Sequence, residues 1–171
     1  MDSINSSGHI RKFTGRVVNG RGLGTHRMLT LQEFFSKHNL EIFPGTLNVV
    51  LKTPIQFNKD RCAYNYRNQF FFWPITVNGI SCLVYRWSQC PMHILEIVAT
   101  TKLRDRFSGE DVRIEIEASL LQKLTATNLY LWNLSWKGRE KLYYRDSIYT
   151  NLLGKFQNST FRFKRFFGIK K

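Results

Sequence analysis

The chain is short of acid, cysteine, histidine and long apolar runs, and each shortage excludes something. Only 12 Asp and Glu stand against 26 Lys and Arg in 171 residues, a formal net charge of +14. That balance points to an anionic partner: nucleic acid, a membrane surface or a phosphorylated small molecule. The three cysteines, Cys62, Cys82 and Cys90, are odd in number and match no zinc spacing, so free thiols in a reducing compartment are expected. The four histidines are scattered, without metal-ligand spacing. The longest apolar runs, such as Phe70-Phe71-Phe72-Trp73, fall far short of the ~20 residues of a membrane-spanning helix. The opening MDSINSSGHIRK has no apolar core of a secretion signal, and a cytoplasmic location is expected. Neither a GxSxG elbow, a Walker loop, a helix-turn-helix nor an RNP-like aromatic signature occurs.

What is present is material for a core: 43% hydrophobic and 15% aromatic residues, which a disordered chain would lack. Six short runs rich in β-branched and aromatic residues cover 13–18, 47–51, 69–77, 80–85, 93–99 and 112–117. Asn19-Gly20, Pro44-Gly45, Asn78-Gly79 and Ser108-Gly109 supply turn signals around them, and Asn78-Gly79 between two apolar runs predicts a type I′ hairpin. One helix is expected after Thr30, with Thr30 as N-cap, Glu33 completing a capping box, and Leu31, Phe34, Phe35 and His38 on one face. Six strands and a single helix predict a mainly β domain over residues 1–118, a compact barrel or sandwich.

The charge divides unevenly. Residues 119–171 carry eleven Lys and Arg against two acids, while the first 118 residues carry fifteen against ten. The C-terminal third is therefore a basic, aromatic-rich extension. Short amphipathic helices are expected over 120–124 and 146–156. The final Phe161-Arg162-Phe163-Lys164-Arg165-Phe166-Phe167 interleaves cations with aromatics. Such a run suits peripheral contact with a membrane or stacking on nucleic acid; the plainer alternative is that its aromatics dock on the domain while the cations stay solvated.

Four features of the first part carry chemistry. In Gly20-Arg21-Gly22-Leu23-Gly24, followed by Thr25, alternate glycines free the backbone to aim its N–H groups at one point, a nest for phosphate; a glycine-rich turn is the plainer alternative. In Pro44-Gly45-Thr46-Leu47-Asn48, Thr46 and Asn48 fall on one face of a strand. A neutral hydroxyl and amide side by side suit a hard cation that phosphates help to ligate, or they satisfy backbone groups at a turn exit. Thr101-Lys102-Leu103-Arg104 brings cations that can neutralise polyphosphate or form a solvated turn. Glu96 alternates with Ile94 and Val98, which is a costly place for an acid unless it binds something.

Taken in order, these segments resemble the archaeal-type, CTP-dependent riboflavin kinases. The matching run goes from GRVVNGRGLG (15–24) through EFFSKHNLEIFPGTLNVVL (33–51) to LEIVATTKLRDRFSGEDVRIEIE (95–117), and stops near residue 118. The resemblance implies a small cradle-loop β-barrel with CTP and a flavin bound across it. It implies that Gly20, Arg21, Gly22, Leu23, Gly24 and Thr25 cradle the nucleotide phosphates, and that Thr101, Lys102, Leu103 and Arg104 form the other part of the CTP site. Thr46 and Asn48 would hold Mg²⁺, and Ser88 and Glu96 would contact the flavin. Glu96 is the expected catalytic group, orienting the acceptor hydroxyl and taking its proton. The chain departs from the family where G-x-G-E-G-[KR]-Y becomes Leu23, Thr25 and His26 at the last three variable places, and where T-H-H-P becomes Ser88-Gln89-Cys90-Pro91. A kinase of another alcohol, such as a sugar or polyol, and a non-catalytic nucleotide- or nucleic-acid-binding module stand as the alternatives. Small-molecule substrates rank ahead of nucleic acid as partners, because charge alone explains neither the Thr46/Asn48 pair nor the glycine spacing.

Overall fold

All six runs of alternating or continuous apolar residues become strands, and the six close on one another. The computed structural model describes residues 9–20, 22–88 and 90–145. In chain order the strands are β1 (Ile10–Val18), β2 (Leu47–Leu51), β3 (Gln56–Phe57), β4 (Tyr64–Tyr66), β5 (Phe70–Val77), β6 (Ile80–Trp87), β7 (Ile94–Val98), β8 (Asp111–Glu117) and β9 (Leu121–Gln122). The helices are α1 (Leu23–Thr30), α2 (Gln32–Lys37), α3 (Ala126–Trp136) and α4 (Leu142–Arg145). The order β5-β6-β7-β2-β1-β8 is antiparallel throughout, and β8 returns to pair with β5 through Thr76 with Glu115 and Val77 with Ile114. The protein is thus mainly β, a closed six-strand antiparallel barrel. Asn78 (φ 46°) and Gly79 (φ 84°) turn the β5–β6 hairpin in the left-handed region that a type I′ turn demands.

Pleating divides the strand residues between two sides. Leu47, Val49, Leu51, Leu95, Ile97, Val84, Ile114 and Ile116 fill the barrel interior. On the outer side, Met28, Leu31 and Phe35 of the α1–α2 region cover Phe72, Tyr85 and Val98. Trp132, Trp136 and Tyr143 cover Val50 and Ile94. β2 and β7 are consequently buried on both faces along their whole lengths, which explains their unbroken apolar character outside Asn48 and Glu96.

Three local expectations are corrected. Thr30 does not cap a helix: it ends α1, its hydroxyl donates to the Arg27 carbonyl at 2.8 Å, and α2 starts from Leu31. The glycine turn runs straight into α1, a helix the Gly-rich spelling concealed. Residues 120–124 are not a helix but the end of a 3₁₀ turn (Ala118–Leu120) and β9, which pairs with β3. The helix of that region is α3, where Thr125 accepts from the Asn128 N–H at 3.1 Å. The helix expected over 146–156, the cation–aromatic run at 161–167, and Arg21 lie outside the described residues. The cysteines are free thiols, and burial pushes Cys82 up to about 11 and Cys90 up to about 12. No helix among the described residues is long and apolar enough to cross a membrane.

Candidate functional site

Segments distant in sequence meet in a pocket of about 540 Å³ on the outer side of β2 and β7. Gly20, Gly22, Gly24, Thr25, Thr46, Asn48, Glu96, Thr101, Lys102, Leu103 and Arg104, all expected from the sequence, line it. Leu23 supplies the first residue of α1 beside them. Ser88 does not join this group. It is exposed at the end of β6 and borders a second hollow of about 360 Å³, shared with Asn58 and the buried Arg86.

The three glycines do different things. A Cβ on residue 20 would lie 2.1 Å from the Asn48 amide, and one on residue 24 would lie 2.4 Å from the Thr46 hydroxyl. Only hydrogen at these positions lets the turn press against the Thr46/Asn48 pair. Gly22 has open space around it but takes φ 77° as N-cap of α1. No side chain among the described residues caps the start of α1, and a helix start of this kind favours an anion.

Asn48, 5% exposed, is the hub. With its amide oxygen toward Thr46 and Tyr144, both hydroxyls donate to it, at 3.4 and 3.3 Å. Its nitrogen then meets two donors, the Gly20 N–H and Arg104 Nη2. In the opposite orientation the oxygen accepts from Gly20 N at 3.2 Å and from Arg104 Nη2 at 3.0 Å, and the nitrogen faces hydroxyls that accept as readily as they donate. The ligand-free chain is assigned this second orientation.

Arg104 is therefore a clamp more than an open phosphate ligand. It also donates from Nε to the Thr46 carbonyl at 3.3 Å, from Nη1 to Asn19 Oδ1 at 3.2 Å, and from Nη2 to the Val18 carbonyl at 3.2 Å. Lys102 reaches Asp105 at 2.8 Å in an exposed pair. The cation that sequence reasoning missed is Arg27, which lines the pocket from α1 and lies over the Trp87 ring at 5.2 Å. Its signal was positional: Arg27 sits one helical turn after Gly24 once α1 is seen to begin at Leu23. Tyr144 was missed too, since nothing local marks it. Glu96, 7% exposed, stands opposite Asn48 on β2 and Tyr85 on β6. Among the described residues, Arg27, Lys102 and Arg104 thus set three cations against one carboxylate around the pocket.

With the amide oxygen turned toward Thr46, the pair would offer hard oxygens 3.4 Å apart, a donor set and spacing that a small divalent cation accepts when phosphates and water complete its shell. The amide must first make a half-turn, giving up its bonds from Gly20 and Arg104. Among the described residues there is no cluster of three or more His, Cys, Asp or Glu that could hold a metal by itself. No protein-family model and no curated protein matches the chain.

Proposed function

We propose that this pocket binds a nucleoside triphosphate and passes its terminal phosphoryl group to a hydroxyl of a small alcohol. In the form implied by the resemblance, the donor is CTP, the acceptor the ribityl hydroxyl of riboflavin, and the products FMN and CDP. The observation that carries the proposal is the convergence of Gly20, Gly22, Gly24 and Thr25, residues 46–48 and 101–104, and Glu96 on one pocket, although up to 84 positions separate them in the chain. Phosphoryl transfer asks chiefly for positioning and charge neutralisation, and the pocket walls supply both. The α1 N-terminus and the glycine turn receive phosphate oxygens, Arg27 and Lys102 neutralise them, and Arg104 keeps both loops in register. Thr46 and Asn48 would hold Mg²⁺, which when bound screens the phosphate charge. Glu96 accepts the proton of the acceptor hydroxyl as its oxygen bonds to the γ-phosphorus; the bond from that phosphorus to the β–γ bridging oxygen breaks, and CDP leaves with the electron pair.

One observation favours a second reading, a pocket that binds nucleotide without transfer: Ser88, the second acceptor contact implied by the resemblance, borders a different hollow. Thermal shift with CTP, ATP, riboflavin and FMN, with and without Mg²⁺, followed by turnover of labelled CTP against a panel of alcohols, tests both. Mg²⁺-dependent stabilisation by CTP above ATP, with CDP released only when one alcohol is present, is expected. Stabilisation without CDP leaves the binding module. Transfer to a sugar or polyol but not to riboflavin changes the acceptor. A flat response together with salt-sensitive RNA binding overturns the proposal.

A further inference from the structure

The segment beyond the barrel is anchored by one buried histidine. His93 is fully buried; its Nδ1 accepts from the Trp132 indole at 2.9 Å, so Nε2 carries the proton and donates to the Glu140 carbonyl at 3.2 Å. Trp136 lies 4.8 Å from the same ring, centroid to centroid, and Tyr143 packs edge-on to Trp136 at 6.2 Å. The next residue, Tyr144, meets the Tyr143 ring at a near right angle and 4.9 Å. Its hydroxyl reaches the Asn48 amide, at 3.3 Å, across 96 positions of sequence, and it lines the pocket beside Thr46 and Glu96.

We infer that residues 126–144 complete the ligand pocket of the barrel, and that Tyr144 is a positioning residue which holds the Asn48 amide for the incoming phosphate ligand. The inference rests on the proposed function, since it takes the pocket to be the nucleotide site. Its physical basis is that Asn48 is largely buried, and among the described residues its amide meets Gly20, Arg104, Thr46 and the Tyr144 hydroxyl. When the amide oxygen leaves Gly20 and Arg104 for the Thr46 side, the Tyr144 hydroxyl donates to it, so this bond offsets those given up in turning toward the ligand. Without it, a largely buried amide loses a partner and is no longer held where the ligand meets it.

The test is calorimetric titration of the full chain with CTP and Mg²⁺, and separately with pyrophosphate, using the wild type, Tyr144→Phe and, as a control, the exposed Tyr130→Phe. Tyr144→Phe is expected to raise Kd about fivefold, the ratio that one hydrogen bond of ~1 kcal/mol gives. The melting temperature of the ligand-free variant should fall by no more than a few degrees, since the amide keeps its other partners, and Tyr130→Phe should change neither quantity. Wild-type affinity in Tyr144→Phe overturns the inference and leaves the proposed function intact. So does a lowered melting temperature with Kd unchanged, which marks a purely structural tyrosine. Pyrophosphate binding that responds to Tyr144→Phe, in a protein that ignores CTP, supports the inference and overturns the nucleotide. Silence of the wild type to both probes overturns both.

Discussion

Gly24 lies so close to Thr46 that a Cβ there would stand 2.4 Å from the Thr46 hydroxyl oxygen. Gly20 has the same relation to Asn48 at 2.1 Å. Both neighbours are hydrogen-bonded and confined, so neither can step aside without disturbing the pocket. Gly20→Ala and Gly24→Ala should each lose about 1–3 kcal/mol of stability and most of the nucleotide affinity. Gly22→Ala, with free space but a left-handed backbone, should lose about 1 kcal/mol while the residual folded protein binds normally. Urea unfolding and calorimetry on the three variants check the contrast; equal binding losses at 20, 22 and 24 would refute it.

Arg104 ties the end of β1, the start of β2 and the turn at Leu103–Asp105 into one unit. Arg104→Ala should cost about 3 kcal/mol, because several carbonyl and amide acceptors lose a charged donor together. Arg104→Lys should recover little of it, since a single ammonium cannot serve three directions as the planar guanidinium does. Denaturant midpoints measure both, and full rescue by Lys would show that charge alone matters.

His93 makes stability depend on pH. Burial, the largest cause, lowers its pKa from 6.5 to about 4 in the folded chain. The unfolded chain takes up the proton as pH falls through 6.5, whereas the folded chain resists until about 4. Stability from this group is thus complete above pH 6.5, falls between 6.5 and 4, and levels below, a total of about 3 kcal/mol. His93→Gln, which keeps one donor and one acceptor for Trp132 and Glu140, should flatten that slope. An unchanged slope between pH 4 and 6.5 would assign it to other groups.

Glu96→Gln separates chemistry from binding. The amide keeps the shape and a hydrogen-bond acceptor but cannot take the proton of the acceptor hydroxyl. Turnover should fall by about 100-fold or more, with the CTP dissociation constant changed by no more than about twofold. Normal turnover would remove Glu96 from the chemistry.

Much of the barrel was legible because strand periodicity is local. Phe70–Val77 and Ile80–Trp87 announce a hairpin through the Asn78-Gly79 pair between them, and the alternation of β8 states which face is wet. The convergence of the glycine turn, Thr46/Asn48 and Glu96 was legible only as a set of residue types whose chemistry suits one phosphate ligand. The start of α1 was hidden because glycine weighs against helix wherever it stands, while in the fold Gly22 serves as the left-handed N-cap and Gly24 as the small residue against Thr46.

By itself, then, the sequence determined the six strands, the hairpin, the free thiols and the types of side chain at the candidate site, all of which follow from spacing over a few residues. Tertiary structure alone decided which polar atoms are free to meet a ligand. Arg104 is occupied by partners 58, 85 and 86 positions away, Arg27 enters the pocket from a helix, Ser88 faces another hollow, and Tyr144 arrives from beyond the barrel. Residue type sets what a side chain can bond. Which of those bonds are already made within the protein depends on long-range packing, and no local pattern encodes it.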